Sequence, residues 1–86
     1  MAFEMRIEIF YNPTCPVCSY AKKLVKKFLK KYPQIEYFEV NAFEHQDRVI
    51  ELGFETVPAI AIDGKLWHTG MPDKKSLRNE IKSKLG

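Results

Sequence analysis

The sequence is sparing in metal-holding residues and has no long apolar runs. It contains two cysteines, two histidines, one tryptophan and four glycines in 86 residues. A zinc site needs four ligands. Besides the cysteines the only soft candidates are His45 and His68, whose separation does not match the usual spacing of paired zinc histidines. No apolar stretch approaches the ~20 residues of a membrane-spanning helix. The opening Met1-Ala2-Phe3-Glu4-Met5-Arg6 carries an acid and lacks a secretory apolar core, so a cytosolic, reducing setting is expected. There, two cysteines point to catalysis or metal binding rather than to a staple. A bridge between Cys15 and Cys18 would close too short a loop to restrict the unfolded chain much. No repeat, linker or low-complexity tract appears, and residues 1–86 read as one domain with a single core.

The surplus of positive charge is also small. A net +3 does not argue for nucleic acid, and neither a nucleic-acid nor a membrane partner is expected. The distribution says more. Residues 1–33 hold seven basic residues against two acids, 34–57 one against six, and 58–86 six against three. Charge therefore alternates by segment, which predicts opposite fields on different faces.

What is present is clear hydrophobic periodicity. Met5–Phe10 alternates Arg6 and Glu8 with Ile7, Ile9 and Phe10, a strand with one wetter face. Asn12-Pro13-Thr14 has turn composition, and Pro16 suits the first position of a helix. Ala21, Leu24, Val25, Phe28, Leu29 and Tyr32 then recur at helical spacing until Pro33 closes the run. Residues 35–40 read as a second strand. Asn41-Ala42-Phe43-Glu44 resembles a helix-start box, Gly53 suits a left-handed cap, and Val49, Ile50 and Leu52 are expected to face inward. Residues 58–62 and 65–68 form a hairpin around Asp63-Gly64. Asp73 caps a last helix with Leu77, Ile81 and Leu85 inward. The order βαβαββα predicts an α/β fold: a parallel pair extended by an antiparallel hairpin, in a four-stranded mixed sheet flanked by three helices.

Cys15-Pro16-Val17-Cys18 is the strongest signal. It follows a strand and opens a helix, the placement a redox pair needs. Residues i and i+3 on a helix lie ~5–6 Å apart at Cβ, within modest adjustment of a disulfide. The thiolate is the nucleophile, yet a free cysteine of pKa ~8.5 is only about 3% ionised at pH 7. Unpaired N–H groups at a helix start favour the anion, and Cys15 stands in that field. Cys18, one turn in, is expected to be more buried and to stay protonated until required. Cys15 would then attack a disulfide and Cys18 would displace the reduced product. Other readings of the pair are a metal-binding or interaction module, two inert cysteines, or an iron–sulfur cluster shared between subunits.

With the pair, the element order and Thr56-Val57-Pro58 together, the chain resembles the thioredoxin–glutaredoxin superfamily over nearly its whole length. It is most similar to small archaeal-type glutaredoxin-like proteins with thioredoxin-like activity. The motifs are Pro13-Thr14-Cys15-Pro16-Val17-Cys18, Thr56-Val57-Pro58 and Gly70 before the last helix. The resemblance implies a thioredoxin-like fold, a cis bond at Pro58 facing Cys15, and a Val57 backbone that pairs with extended substrate. It implies supporting roles for Pro16, Val17 and Gly70 and substrate contacts at Thr56. By itself Pro58 also suits the start of an edge strand. The chain departs from thioredoxins at Thr14, where they carry tryptophan, and at Ile9, where they carry a buried acid. It departs from glutaredoxins at Asn12 and Val17, positions near their bound glutathione, and at Met71, which replaces the second glycine of their Gly-Gly-x-Asp segment.

The expected activity is thiol–disulfide exchange on protein disulfides by a monomer. No metal or tightly bound cofactor is implied, and electrons would come from a flavin-dependent reductase or a low-molecular-weight thiol. A glutathione-dependent glutaredoxin is the alternative. The lysines from Lys22 to Lys31 read as a solvated face, with docking of an acidic partner as the other reading and Lys22 also a candidate to favour the Cys15 thiolate. Trp67 is expected to pack, His68 to lie at an exposed strand end, and His45 has no assigned role. Phe10, Tyr11 and Tyr20 flank the motif as a candidate apolar rim, with core packing an equal reading for Phe10.

Overall fold

The computed structural model describes residues 4–85. Strand β1 spans Met5–Tyr11, helix α1 Pro16–Leu29, strand β2 Ile35–Asn41 and helix α2 Gln46–Leu52; β3 (Ala59–Ile62), β4 (Lys65–Thr69) and helix α3 (Lys74–Leu85) complete the chain. The sheet has the order β2-β1-β3-β4, with β1 parallel to β2 and antiparallel to β3. The expected βαβαββα architecture is therefore the observed one. Among the described residues no helix is long and apolar enough to cross a membrane.

Strand alternation divides the core. Ile7, Ile9, Ile60 and Ile62 point to one face and pack with Ala21 and Val25 of α1 and with Leu77 and Ile81 of α3. Phe10, Ala59 and Ala61 point to the other and meet Phe54, with Val49 and Leu52 of α2 against them. Burying each isoleucine contributes about 1.5–3 kcal/mol, so the two central strands carry a large share of the apolar stabilisation. Asp63 (φ 51°) and Gly64 (φ 81°) make the tight turn between β3 and β4, a left-handed geometry that suits glycine. Asp73 accepts a hydrogen bond from the Ser76 amide (3.0 Å) and starts α3 as expected. Trp67 packs against the larger cluster.

The structure corrects four expectations. Glu8 does not lie on a wet face; it is 2% exposed and held by Arg48 of α2 through two hydrogen bonds of 2.8 Å. Helix α1 ends at Leu29, because the residue before Pro33 disfavours helical geometry and the chain tightens through a Tyr32 N–H to Leu29 carbonyl bond. Asn41 closes β2 instead of opening a helix. Its side-chain oxygen accepts from the Phe43 amide (2.9 Å), and α2 begins only at Gln46. Ile50 faces outward at 79% exposure, since a helix this short presents only Val49 and Leu52 to the sheet.

Candidate active site

The β1–α1 connection is built around Asn12. Its side-chain oxygen accepts from the Thr14 amide (2.8 Å) and hydroxyl (2.7 Å), and its carbonyl accepts from the Cys15 amide (3.1 Å). That turn delivers Cys15 to the N-cap of α1 in extended geometry, with Pro16 in the first turn, where its missing N–H costs nothing. The Cys15 Sγ accepts a hydrogen bond from the Cys18 amide at 3.1 Å. A sulfur thus occupies the place usually taken by a serine or aspartate oxygen, and that N–H stabilises negative charge on it.

The two thiols are free and unequal in access: Cys15 is partly exposed, while Cys18 is 1% exposed. Burial pushes the Cys18 thiol up to about 11, and the neighbouring Cys15 adds to the rise. The Asn12 backbone and the Lys22 ammonium pull the other way. Lys22 lies one turn beyond Cys18, and its Nζ sits 3.2 Å from the centre of the Tyr11 ring. Its charge bears on Cys18. Helical spacing from Cys18 to Lys22 was the available signal.

The Val57–Pro58 bond is cis and Pro58 is buried. Phe10 pairs with Ala59, so Pro58 enters the sheet beside the end of β1 that leads into the cysteine turn. The Gly70 amide donates to the Pro58 carbonyl (2.7 Å), and its φ of 87° explains the glycine. Val57 and Asn12 line a common groove of about 260 Å³ with Phe43 and Glu55. Thr56 and Val17 are exposed. The structure thus brings Pro58, Gly70 and Val57 to the same end of the sheet as the cysteine turn.

Other candidates sit differently. Phe10 is fully buried, its ring 5.1 Å from that of Phe54, and belongs to the core rather than to a rim. Tyr20 is exposed. His68 is half-buried against Trp67, with its Nε2 3.2 Å from the Met71 carbonyl. A carbonyl only accepts, so that nitrogen carries the proton in this arrangement. His45 stands at the cap of α2 without a side-chain capping bond.

A reduced dithiol at a helix start, beside a cis proline on a mixed sheet, defines the class of thioredoxin-like redox proteins. Comparison with known proteins is consistent with this. A family model described as "Thioredoxin domain" matches residues 5–82. The thioredoxin of Methanocaldococcus jannaschii is 34% identical over 95% of this chain and 98% of its own length. A protein disulfide oxidoreductase from Aeropyrum pernix K1 superposes with a TM-score of 0.80 at 31% identity, over 95% of this chain and 38% of that one. A mutant thioredoxin from Halobacterium salinarum superposes at 0.81 over 98% of this chain and 77% of that one; at 20% identity this is a likeness of fold. The chain belongs to the thioredoxin family of thiol–disulfide oxidoreductases.

Proposed function

We propose that this chain is a cytosolic, monomeric oxidoreductase for protein disulfides, in which Cys15 attacks and Cys18 resolves. One observation carries the assignment of roles: Cys15, the more exposed thiol, accepts the Cys18 amide at 3.1 Å, while the Cys18 side chain is buried behind it. The Cys15 thiolate attacks one substrate sulfur, forms a mixed disulfide and expels the other sulfur as a thiolate, which takes a proton. Cys18, once deprotonated, attacks Cys15 Sγ, closing the Cys15–Cys18 disulfide and releasing the second substrate thiol. Two electrons pass from the dithiol to the substrate. Thr56, Val57 and Pro58 present the backbone against which an extended substrate segment pairs. Pro16, Val17 and Gly70 play supporting roles, Gly70 through its amide bond to the Pro58 carbonyl. A flavin-dependent reductase or a low-molecular-weight thiol returns the electrons.

Insulin reduction driven by dithiothreitol tests this reading. Cys15→Ser is expected to abolish turnover, and Cys18→Ser to accumulate a mixed disulfide visible by mass spectrometry. No trapped adduct in Cys18→Ser would overturn the order of attack. Activity confined to the hydroxyethyl-disulfide assay with glutathione would replace protein disulfides by glutathione as the substrate.

A further inference from the structure

Away from the dithiol, a groove of about 440 Å³ runs between α1 and α3. Its floor is apolar, made by Leu24 and Phe28 of α1 and by Tyr32 just past its end. Its walls are cationic, with Lys27 and Lys31 from the α1 side and Lys74, Arg78 and Lys82 at successive turns of α3. No acid lines it. Among the described residues none of these five cations takes part in an ion pair, although Lys26 and Lys84 nearby each have a carboxylate partner. Like charges one turn apart raise the energy of the free protein, and an anionic occupant removes that repulsion.

We propose that this groove docks an acidic amphipathic helix of a partner protein. The period of the charges selects a helix: Lys74, Arg78 and Lys82 repeat every four residues, matching carboxylates at the same interval on an opposing helix. The floor selects an amphipathic one, since apolar side chains at i and i+4 seat on Leu24 and Phe28. The Phe28 and Tyr32 rings stack on each other at 5.5 Å, which covers one face of each and leaves no gap between them for a nucleic-acid base. A flat bilayer does not fill a slot between two helices. None of the lining residues belongs to the cysteine motif or to residues 56–58, so a partner held here leaves Cys15 accessible.

The test uses the intact reduced protein and a fluorescein-labelled peptide of about 14 residues, long enough to span the groove as a helix. The peptide is made only of leucine and glutamate in helical amphipathic order. Anisotropy is expected to show binding about tenfold tighter than for the same residues in scrambled order. Lys27→Glu/Arg78→Glu/Lys82→Glu is expected to weaken binding by at least about tenfold. Lys23→Glu/Lys30→Glu/Lys75→Glu, the same charge change on α1, at its C-cap and on α3 but outside the groove, is expected to weaken it less than about threefold. Should the first triple variant fail to fold by circular dichroism, Arg78→Glu alone is expected to lose about threefold, with Lys75→Glu as its control. Equal losses at groove and control positions, or equal binding of the scrambled peptide, would overturn the proposal. So would displacement of the peptide by an oligothymidylate or by phosphatidylserine vesicles that bind more tightly and lose that binding only in the groove variant.

Discussion

At the residue scale the unsolved step is ionising Cys18. In the free dithiol, burial and the neighbouring Cys15 push this thiol up to about 11, and burial still opposes its ionisation once Cys15 is held in the mixed disulfide. Ile9, buried and apolar, offers no carboxylate to take the Cys18 proton. Lys22 is the cation that acts in the needed direction, and Tyr11 keeps its ammonium in place. Glu39, also within reach of the Lys22 charge, is engaged by Lys26 at 3.1 Å and by the Tyr37 hydroxyl at 3.0 Å. Removing a positive charge from beside a thiol raises its pKa, so less thiolate is present at every pH below it. Lys22→Ala is therefore expected to slow release of the mixed disulfide and move its pH profile upward, while Lys22→Arg restores both. Stopped-flow measurement of the resolving step from pH 7 to 10 checks this. An unchanged profile in Lys22→Ala would remove the lysine from the mechanism.

At the scale of elements, α2 is joined to the sheet by few apolar contacts and one ion pair. Arg48 binds Glu8 through both terminal guanidinium nitrogens, and Arg6 approaches the same carboxylate only to 3.8 Å. Deleting one partner of such a pair leaves a buried charge. Because Arg48 is 27% exposed, Arg48→Ala is expected to cost about 3 kcal/mol, the low end for buried pairs. Replacing both residues, as Glu8→Leu/Arg48→Met, removes the charge along with its partner and is expected to cost less than Arg48→Ala alone. Urea denaturation of the three proteins decides the matter. A double variant less stable than the single would show that the pair contributes net stability. The same contact marks where sequence reading stops. Alternation along Met5–Phe10 locates the strand and divides its faces, but wetness was inferred from residue type, and Arg48 lies 40 positions away from Glu8. The dithiol, the Asp63-Gly64 turn and the Asp73 cap were legible because their chemistry is local. Asn41 misled for the same reason: a local Asx turn with Phe43 and a helix cap share one residue signature, and only the packing of α2 separates them.

For the whole molecule, strand order determines where the rigid material lies. Strands β1 and β3 are central, each paired on both sides, whereas β2 and β4 are edges. The basic helices α1 and α3 share one face of the sheet and α2, in the acidic segment, lies on the other, so the alternating charge of the chain becomes a charge difference across the sheet. The cysteine turn leaves the end of β1, and Pro58 precedes β3, so both halves of the site hang from the two central strands. Opening the site then disturbs strands whose apolar side chains are fully buried. Amide hydrogen exchange is expected to find Ile7, Ile9 and Ile60 protected to the full unfolding free energy, with amides of β4 exchanging sooner through fraying of its edge. Measured across a urea series, the central amides should track global unfolding, while β4 should show a smaller denaturant dependence. If β4 instead exchanged with the slope of Ile60, the hairpin and the central strands would open as one unit, and the site would share its rigidity with the whole sheet rather than draw it from β1 and β3.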